Sequence, residues 1–190
     1  MKLPLFPLQT VVFPGGRLPL RIFEQRYLAM IKDAIAADTP FGICAIREGE
    51  EIGGGAVPHP IGTLVQIIEW DMPETGIFHI LAEGVSRFRI GGTETRADGL
   101  LIGEVEILES EAAIPVPAHL ELTAEILRHI VEEVGGEHFG RQRFGDAVWV
   151  GYRLAEVLPL PLAERQKLLE SSDTEARLTL LAEYLRKQIN

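Results

Sequence analysis

The histidines and carboxylates are the first residues to test for metal chemistry. The five histidines are dispersed along the chain, and none lies in an H-E-x-x-H spacing or beside paired C-x-x-C motifs, which place several ligands on one metal ion. His129 and Glu133 are four residues apart, so both side chains lie on one face of a predicted helix and could share a metal. Because this helix carries many other charges, we interpret the pair as solvated and predict no metal site.

A catalytic nucleophile needs a base and an oxyanion hole within reach. Ser86 is the one arguable serine, but the G-x-S-x-G turn is absent, so we interpret its hydroxyl as part of a turn or strand edge. Cys44 lies in the apolar run Phe41–Ile46, and apolar surroundings raise the pKa of a thiol. No G-x-x-x-x-G-K-[ST] loop occurs, and Gly53–Pro60 fits a flexible hairpin loop better than a phosphate cradle. The sequence predicts a protein that is not an enzyme and uses no cofactor.

Two arginines form the remaining polar pattern. Arg87 and Arg89 alternate with Phe88 and Ile90, and alternate side chains of a strand share one face. Two interpretations stay open for that face. The many nearby carboxylates favour ion pairs with neighbouring strands, and a clamp for an anionic ligand is the alternative.

The composition of the chain indicates which binding partners and which cellular compartment to expect. The chain has 18 basic and 28 acidic residues, a net charge of −10, which repels phosphate backbones and disfavours nucleic acid as a partner. Cys44 is the single cysteine and cannot form an intramolecular disulfide, which is typical of a reducing compartment. No apolar run approaches the ~20 residues of a membrane-spanning helix. Pro4, Pro7 and Pro14 interrupt any signal-peptide helix. We therefore expect a cytoplasmic protein that does not enter a membrane.

Residues 1–115 show the pattern of a β-rich subdomain. Turn signals such as Gly91-Gly92 and Asp98-Gly99 separate short apolar segments, and alternation at a period of two predicts strands with one wet face. One helix is predicted over residues 23–37, ending before Pro40. The six predicted strands indicate a small barrel or sandwich. They are Leu3–Leu8, Phe41–Ile46, Ile61–Trp70, Ile77–Ala82, Arg87–Ile90 and Leu100–Leu108.

Residues 118–190 show the pattern of a helical subdomain. The proline-punctuated stretch Ala112–Ala118 predicts a stiff connector, and after it the apolar period changes from two to about 3.6. We predict four consecutive helices that form a compact bundle. They cover residues 119–134, residues 146–157, a third helix with Pro161 in its first turn, and a fourth with Asp173 as its N-cap.

The N-terminal block carries a specific resemblance. It reads LPLFPL over residues 3–8, FPG over 13–15, LPL over 18–20 and FEQRY over 23–27. This order of motifs resembles the opening of the N-terminal substrate-recognition domain of Lon proteases, which is similar to the PUA-like β-barrel and also occurs as a free-standing bacterial protein. The family usually has proline where this chain has Gln25.

The resemblance continues through nearly the whole chain and implies an α+β fold. It implies a small PUA-like β-barrel with one inserted helix, followed by a bundle of about four helices. The further matching residues are Gly62–Ile67, Gly84, Arg87–Ile90, Trp149, Leu158–Leu160, Gln166–Leu169, Asp173, Arg177 and Leu178.

The resemblance also implies a function. In Lon, the equivalent region precedes an ATP-driven unfolding motor and a Ser-Lys peptidase, and it helps to recruit protein substrates. The expectation is a non-catalytic recognition module, lacking those two domains, that binds unfolded or extended polypeptide, alone or with a protease or chaperone in trans. Two alternatives stay open: RNA binding, as in other PUA-like barrels, and small-molecule hydrolysis in a pocket between barrel and helices.

The expected binding face comprises Phe13, Leu18, Phe23 and Tyr27. These side chains cluster in sequence beside Pro14–Gly16, a loop composition that can hold apolar groups at the surface. For Phe23 and Tyr27 the favoured alternative is burial between barrel and helix, so Phe13 is the residue that we most expect to be exposed. An unpaired sheet edge that accepts a strand is an equally good route to peptide binding.

Overall fold

The structure is a computed structural model that describes residues 1–189. It divides into two compact units, Met1–Glu109 and the chain from Ser110 onward. The first unit contains all seven strands and one helix, and the second contains four helices. This α+β architecture is the one predicted, because period-two alternation is confined to the first unit and helical spacing dominates the second.

The seven strands form one sheet that closes on itself. Its order is β1-β7-β6-β5-β3, and a parallel pairing of β1 with β3 completes the barrel. β2 pairs with the first part of β6, and β4 pairs with the end of β3. The strands are β1 Lys2–Leu8, β2 Arg17–Ile22, β3 Phe41–Glu48, β4 Val57–Pro58, β5 Ile61–Glu74, β6 Ile77–Thr95 and β7 Leu101–Ile107.

Two apolar clusters fill this unit. The smaller one surrounds the fully buried ring of Phe88 and includes Leu5 and Cys44. The larger one joins the sheet to helix α1, which spans Gln25–Ala37, through residues such as Ile31 and Ile80. Helix α1 thus covers one face of the sheet, because its apolar side chains recur at helical spacing.

Helix α1 begins two residues later than predicted and is tied to two loops by Arg26. The Arg26 guanidinium donates to the carbonyls of Gly99 at 3.1 Å and Glu51 at 3.4 Å. It also lies 3.0 Å from the carboxylate of Glu24, which precedes the helix. Asp38, in the left-handed region at φ 50°, ends the helix. The arginine of the FEQRY motif therefore has a structural contact that explains its place beside the helix start.

The second unit contains the four predicted helices. Two of them begin with aspartate caps: Val148 N–H donates to the Asp146 carboxylate at 2.9 Å, and Ala176 N–H donates to the carboxylate of Asp173, the cap predicted from the sequence, at 2.8 Å. Such bonds satisfy backbone donors that a helix start leaves unpaired. The helices are α2 Glu121–Val134, α3 Ala147–Val157, α4 Leu162–Glu170 and α5 Thr174–Ile189.

A buried ion pair holds the second unit together. Arg177 is fully buried and donates to both carboxylate oxygens of Glu111, at 2.9 Å and 2.7 Å. Tyr152 and Thr174 donate to the same carboxylate at 2.5 Å and 2.6 Å. Burial alone would raise the pKa of Glu111, but the hydrogen bonds from Arg177, Thr174 and Tyr152 outweigh it and lower that pKa. The carboxylate is therefore held in its charged form.

A search of the helices over residues 1–189 finds none with the length and apolar character needed to cross a membrane.

Candidate functional site

Phe13 is fully buried, which corrects the expectation that it is exposed. Its loop closes on β6 through two backbone hydrogen bonds, from Gly15 N–H to Gly84 O at 2.7 Å and from Gly84 N–H to Gly16 O at 2.8 Å. A side chain at Gly84 would place its Cβ only 2.3 Å from the Phe13 carbonyl oxygen. Because glycine at this position lets the loop approach the strand so closely, the Phe13 ring packs into the interior at 0% exposure.

The other three residues of the expected face have different environments. Tyr27 is buried and stacks on Phe6 with ring centroids 4.0 Å apart, and this burial raises the pKa of its hydroxyl to about 12. Leu18 is half-buried against the larger core cluster. Phe23 is exposed, with the Arg21 guanidinium 5.7 Å from its ring centroid. These residues do not form one exposed apolar face.

Arg87 and Arg89 also differ in exposure. Arg87 is 5% exposed and lies opposite Thr63 on β5. Arg89 is exposed and lies opposite Glu106 on β7, with 3.4 Å between Nη1 and Oε2. Only the guanidinium of Arg89 reaches solvent, and a carboxylate already lies beside it.

The residues weighed for chemistry belong to three elements: Cys44 to β3, Ser86 to β6, and both His129 and Glu133 to α2. Burial raises the pKa of the Cys44 thiol to about 12, so it is a neutral core group. Ser86 lies inside β6 opposite Leu64. His129 and Glu133 are exposed neighbours on α2, 3.3 Å apart. Among residues 1–189, no group of three or more His, Cys, Asp or Glu side chains is arranged to hold a metal ion.

The last half of β5 is the exposed apolar feature of the first unit. Every residue from Ile68 to Glu74 is exposed although the segment is a strand. Three of them are large and apolar, with exposed fractions of 39% for Ile68, 55% for Trp70 and 47% for Met72. We name these three side chains the β5 apolar surface.

Trp70 connects this surface to the core cluster. Trp70 lies opposite Ile80 on β6, which in turn lies opposite Leu20 on β2. Side chains directly opposite each other in antiparallel strands share a face, so these three form one apolar row. The Trp70 ring also lies 6.0 Å from the buried ring of Phe78, measured between centroids. The Trp70 ring thus contacts Phe78 on one side and is exposed to solvent on the other.

The outer edge of β5 is open beside this surface. β5 pairs with β6 through Glu74, but its pairing with β3 extends only from Thr63 to Val65. Acidic side chains flank Trp70, namely Glu69, Asp71 and, further along, Glu74. Within residues 1–189 none of the three forms a salt bridge. The end of β5 therefore combines an unpaired edge, exposed apolar groups and uncompensated negative charge.

The sequence predicts a strand over Ile61–Trp70 but does not mark its end as a binding surface. The usable signal was the alternation of apolar and acidic residues from Ile68 to Met72. Such alternation predicts a strand with one buried face. It cannot show that the strand runs past the helix that covers it, so it does not reveal that Trp70 and Met72 are exposed.

The comparisons with known proteins agree with the fold. Residues 2–187 match the family described as the ATP-dependent protease La (LON) substrate-binding domain. The crystal structure of a Lon N-terminal domain protein from Xanthomonas campestris superposes with a TM-score of 0.82 at 34% identity, covering 97% of this chain and 98% of that one. The N-terminal domain of Mycobacterium avium complex Lon protease gives a TM-score of 0.69 at 18% identity, covering 97% of each chain.

A full-length relative shows how much of a Lon protease the similarity spans. Lon protease 2 of Myxococcus xanthus is 28% identical over 194 residues, which is 98% of this chain but 24% of that protein. The chain thus spans about a quarter of the length of this protease. On the barrel topology, the helical unit and the match over residues 2–187, the chain belongs to the LON substrate-binding domain family.

Proposed function

We propose that this protein is a non-catalytic recognition module that binds exposed, extended segments of other polypeptides at the β5 apolar surface. The observation that carries the proposal is the run of exposed residues Ile68–Glu74 on the last half of β5, beyond the residues of that strand that pair with β3. Membership of a family described by substrate binding supports a polypeptide as the ligand.

The character of the surface supports binding of a polypeptide. Trp70 is 55% exposed, and tryptophan is among the residues that most often dominate binding energy at protein interfaces. Its ring is held by Phe78 beneath it, so little side-chain freedom is lost when a ligand covers it. Apolar side chains grouped at the surface in this way mark interaction sites more often than scattered ones do.

The charge around the surface disfavours nucleic acid. Glu69, Asp71 and Glu74 lie within the same exposed segment, and carboxylates repel the phosphate groups of RNA. An RNA ligand would also need basic groups near stacking aromatics. Within residues 1–189, the arginine that lies over an exposed aromatic ring is Arg21, at Phe23. That pair is weak support for RNA compared with the acidic side chains of β5.

The proposed role extends to a larger assembly. A module that holds an extended segment without chemistry of its own presents that segment to a second protein, so we propose that it works as an adaptor for a protease or chaperone in trans. The match to Lon protease 2 supports this role, because the corresponding region there is joined to the rest of a protease.

The test is a fluorescence anisotropy titration with a labelled, reduced and alkylated polypeptide that stays unfolded. We expect the double substitution Trp70→Thr, Met72→Thr to weaken binding about tenfold or more, because it removes the main apolar contacts while keeping strand propensity. The matched control is Ile52→Thr, Val134→Thr, which removes two apolar side chains that are also exposed and should leave the affinity unchanged.

Other outcomes of the titration would overturn the proposal. Equal affinities of the two double variants would show that the β5 apolar surface is not the binding site. Binding of labelled RNA but not of unfolded polypeptide would assign the protein to the RNA-binding class instead. The part of the affinity that comes from apolar contacts should persist at high salt, because salt screens charges but not apolar contacts.

A further inference from the structure

The register of β2 with β6 indicates on which side of β6 the N–H and C=O groups of each residue lie. Opposite residues in antiparallel strands alternate between pairs that exchange backbone hydrogen bonds and pairs that do not. Pro19 lies opposite Leu81 and has no N–H, so theirs is a pair without such bonds. The next pair, Leu20 with Ile80, therefore exchanges them, and the polar backbone groups of Ile80 point toward β2.

This orientation leaves the backbone of Trp70 directed at the open edge. Ile80 lies between Leu20 on β2 and Trp70 on β5. Because Ile80 bonds to β2, the N–H and C=O of Trp70 point away from β6, toward the side where β5 has no strand partner beyond Val65 among the described residues. The Met72 N–H already donates to the Asp71 side chain at 2.8 Å. Trp70 is thus the residue whose backbone is placed to pair with an added strand.

The edge of β2 is less suited than the edge of β5 to pair with an added strand. Pro19 removes a donor from it, and Arg17 on the same strand is engaged by Glu83 at 2.7 Å. The edge of β5 keeps its donor at Trp70 and carries the apolar surface. An incoming strand would therefore meet both backbone groups and apolar contacts at β5.

The charges on β5 select against a second copy of this chain. In a symmetric antiparallel pair centred on Trp70, Glu69 of each copy would lie opposite Asp71 of the other. Like charges directly opposite each other destabilise a strand pair, and neither carboxylate has an ion-pair partner within residues 1–189. A strand with basic residues at those two positions would instead gain two opposite-charge pairs.

We propose that the segment bound at β5 is an extended stretch in which lysine or arginine alternates with apolar residues, and that it joins the sheet as an added strand. This inference rests on the proposed function and specifies its ligand class. The apolar residues of the segment cover Trp70 on one face, while its basic residues face Glu69 and Asp71 on the other, because side chains alternate along a strand.

The experiment uses three labelled peptides of equal length that differ only at alternate positions. They carry lysine, glutamate or glutamine between valines, and their affinities for the whole protein are measured by anisotropy at low and high salt. We expect the lysine peptide to bind about tenfold more tightly than the glutamate peptide at low salt, since two cross-strand pairs change sign. Salt should reduce this difference.

Two variants of the protein separate a local charge effect from the net charge of −10. Glu69→Lys, Asp71→Lys should reverse the preference, so that the glutamate peptide binds more tightly. Glu132→Lys, Glu133→Lys changes the net charge by the same amount at two exposed residues of α2 and should keep the preference for lysine. Reversal in both variants would overturn the proposal.

Backbone N-methylation of the lysine peptide tests strand addition. A strand added to one edge uses the N–H groups of alternate residues only. Methylation of one alternate set should therefore abolish binding, while methylation of the other set should leave it intact. Equal binding of both methylated peptides would rule out an added strand.

Failure of this inference is distinguishable from failure of the proposed function. If unfolded polypeptide binds in a Trp70-dependent manner but the lysine and glutamate peptides bind alike, polypeptide recognition stands and the basic ligand class is wrong. If neither the peptides nor the unfolded polypeptide bind, both proposals are wrong.

Discussion

Carboxylates in two regions of the molecule have opposite surroundings. In the second unit, Glu111 accepts hydrogen bonds from Arg177, Tyr152 and Thr174, and its side chain is 9% exposed. In the first unit, Glu69 and Asp71 are exposed on the last half of β5 and have no ion-pair partner within residues 1–189.

The difference indicates which charges maintain the fold and which are available to a partner. A buried carboxylate is tolerated only when its hydrogen-bonding capacity is filled, so Glu111 belongs to the interior of its unit. An exposed carboxylate needs no protein partner, because water solvates it. When such groups flank exposed apolar side chains on an open edge, they can select a ligand by its charge. The folded state loses no stability by leaving them without a protein partner.

The largest expected effect is the loss of the buried pair. Arg177→Met leaves the Glu111 carboxylate buried without its guanidinium and frees the carbonyls of Leu168 and Ser171. We expect the free energy of unfolding to fall by about 3 to 5 kcal/mol, measured by denaturant titration. Lys167→Met is the control, since its pair with Glu164 is exposed and should contribute less than about 1 kcal/mol. Similar losses in both variants would show that Glu111 is not a structural group.

The second prediction separates a buried aromatic residue from an exposed one in the first unit. Phe13→Ala should lower the free energy of unfolding by about 3 to 5 kcal/mol, because it leaves a cavity in the interior. Trp70→Thr should lower it by less than about 1 kcal/mol, because Thr keeps strand propensity and the ring is half exposed. Denaturant titration measures both. A larger stability loss from Trp70→Thr than from Phe13→Ala would contradict the assignment of Trp70 to a binding surface.

The smallest expected effect concerns an exposed ion pair. Arg89→Gln removes the contact with Glu106, in which both side chains are more than half exposed. We expect the free energy of unfolding to change by no more than about 0.5 kcal/mol, because solvent and salt screen such pairs. The change should vanish at high salt in the same titration. A loss comparable to that of Arg177→Met would show that exposure is a poor guide to the role of charges in this protein.

Local sequence patterns predicted the helices and strands well where the apolar residues recur at a single period. The four helices of the second unit follow from apolar spacing, with Asp173 as the predicted cap of the last, and the structure contains all four. The strand β2 was not predicted, because its short RLPLRI sequence contains a proline that argues against a strand interior. It is tolerated because β2 is an edge strand paired only with β6.

Glycine in the middle of a strand accounts for another difference. The sequence predicts separate strands over Ile77–Ala82 and Arg87–Ile90 and a turn at Gly91-Gly92, whereas the structure has one continuous strand, β6. Gly84 is required there by the close approach of the Phe13 carbonyl, and an irregularity in register lies between Ile90 and Gly92. Glycine is favoured at close backbone approaches, at β-bulges and at turns. The sequence therefore does not distinguish these three features.

The sequence by itself determined the order of elements, the change from strand to helix, and the resemblance to the LON substrate-binding family, because periodicity, caps and motifs are local properties. Only the tertiary structure decided which apolar residues face solvent. Phe13 is covered because its loop closes on Gly84, and Trp70 is open because β5 continues beyond its pairing with β3. Burial depends on contacts between residues far apart in sequence, so the alternation that predicts a strand cannot show where its cover ends.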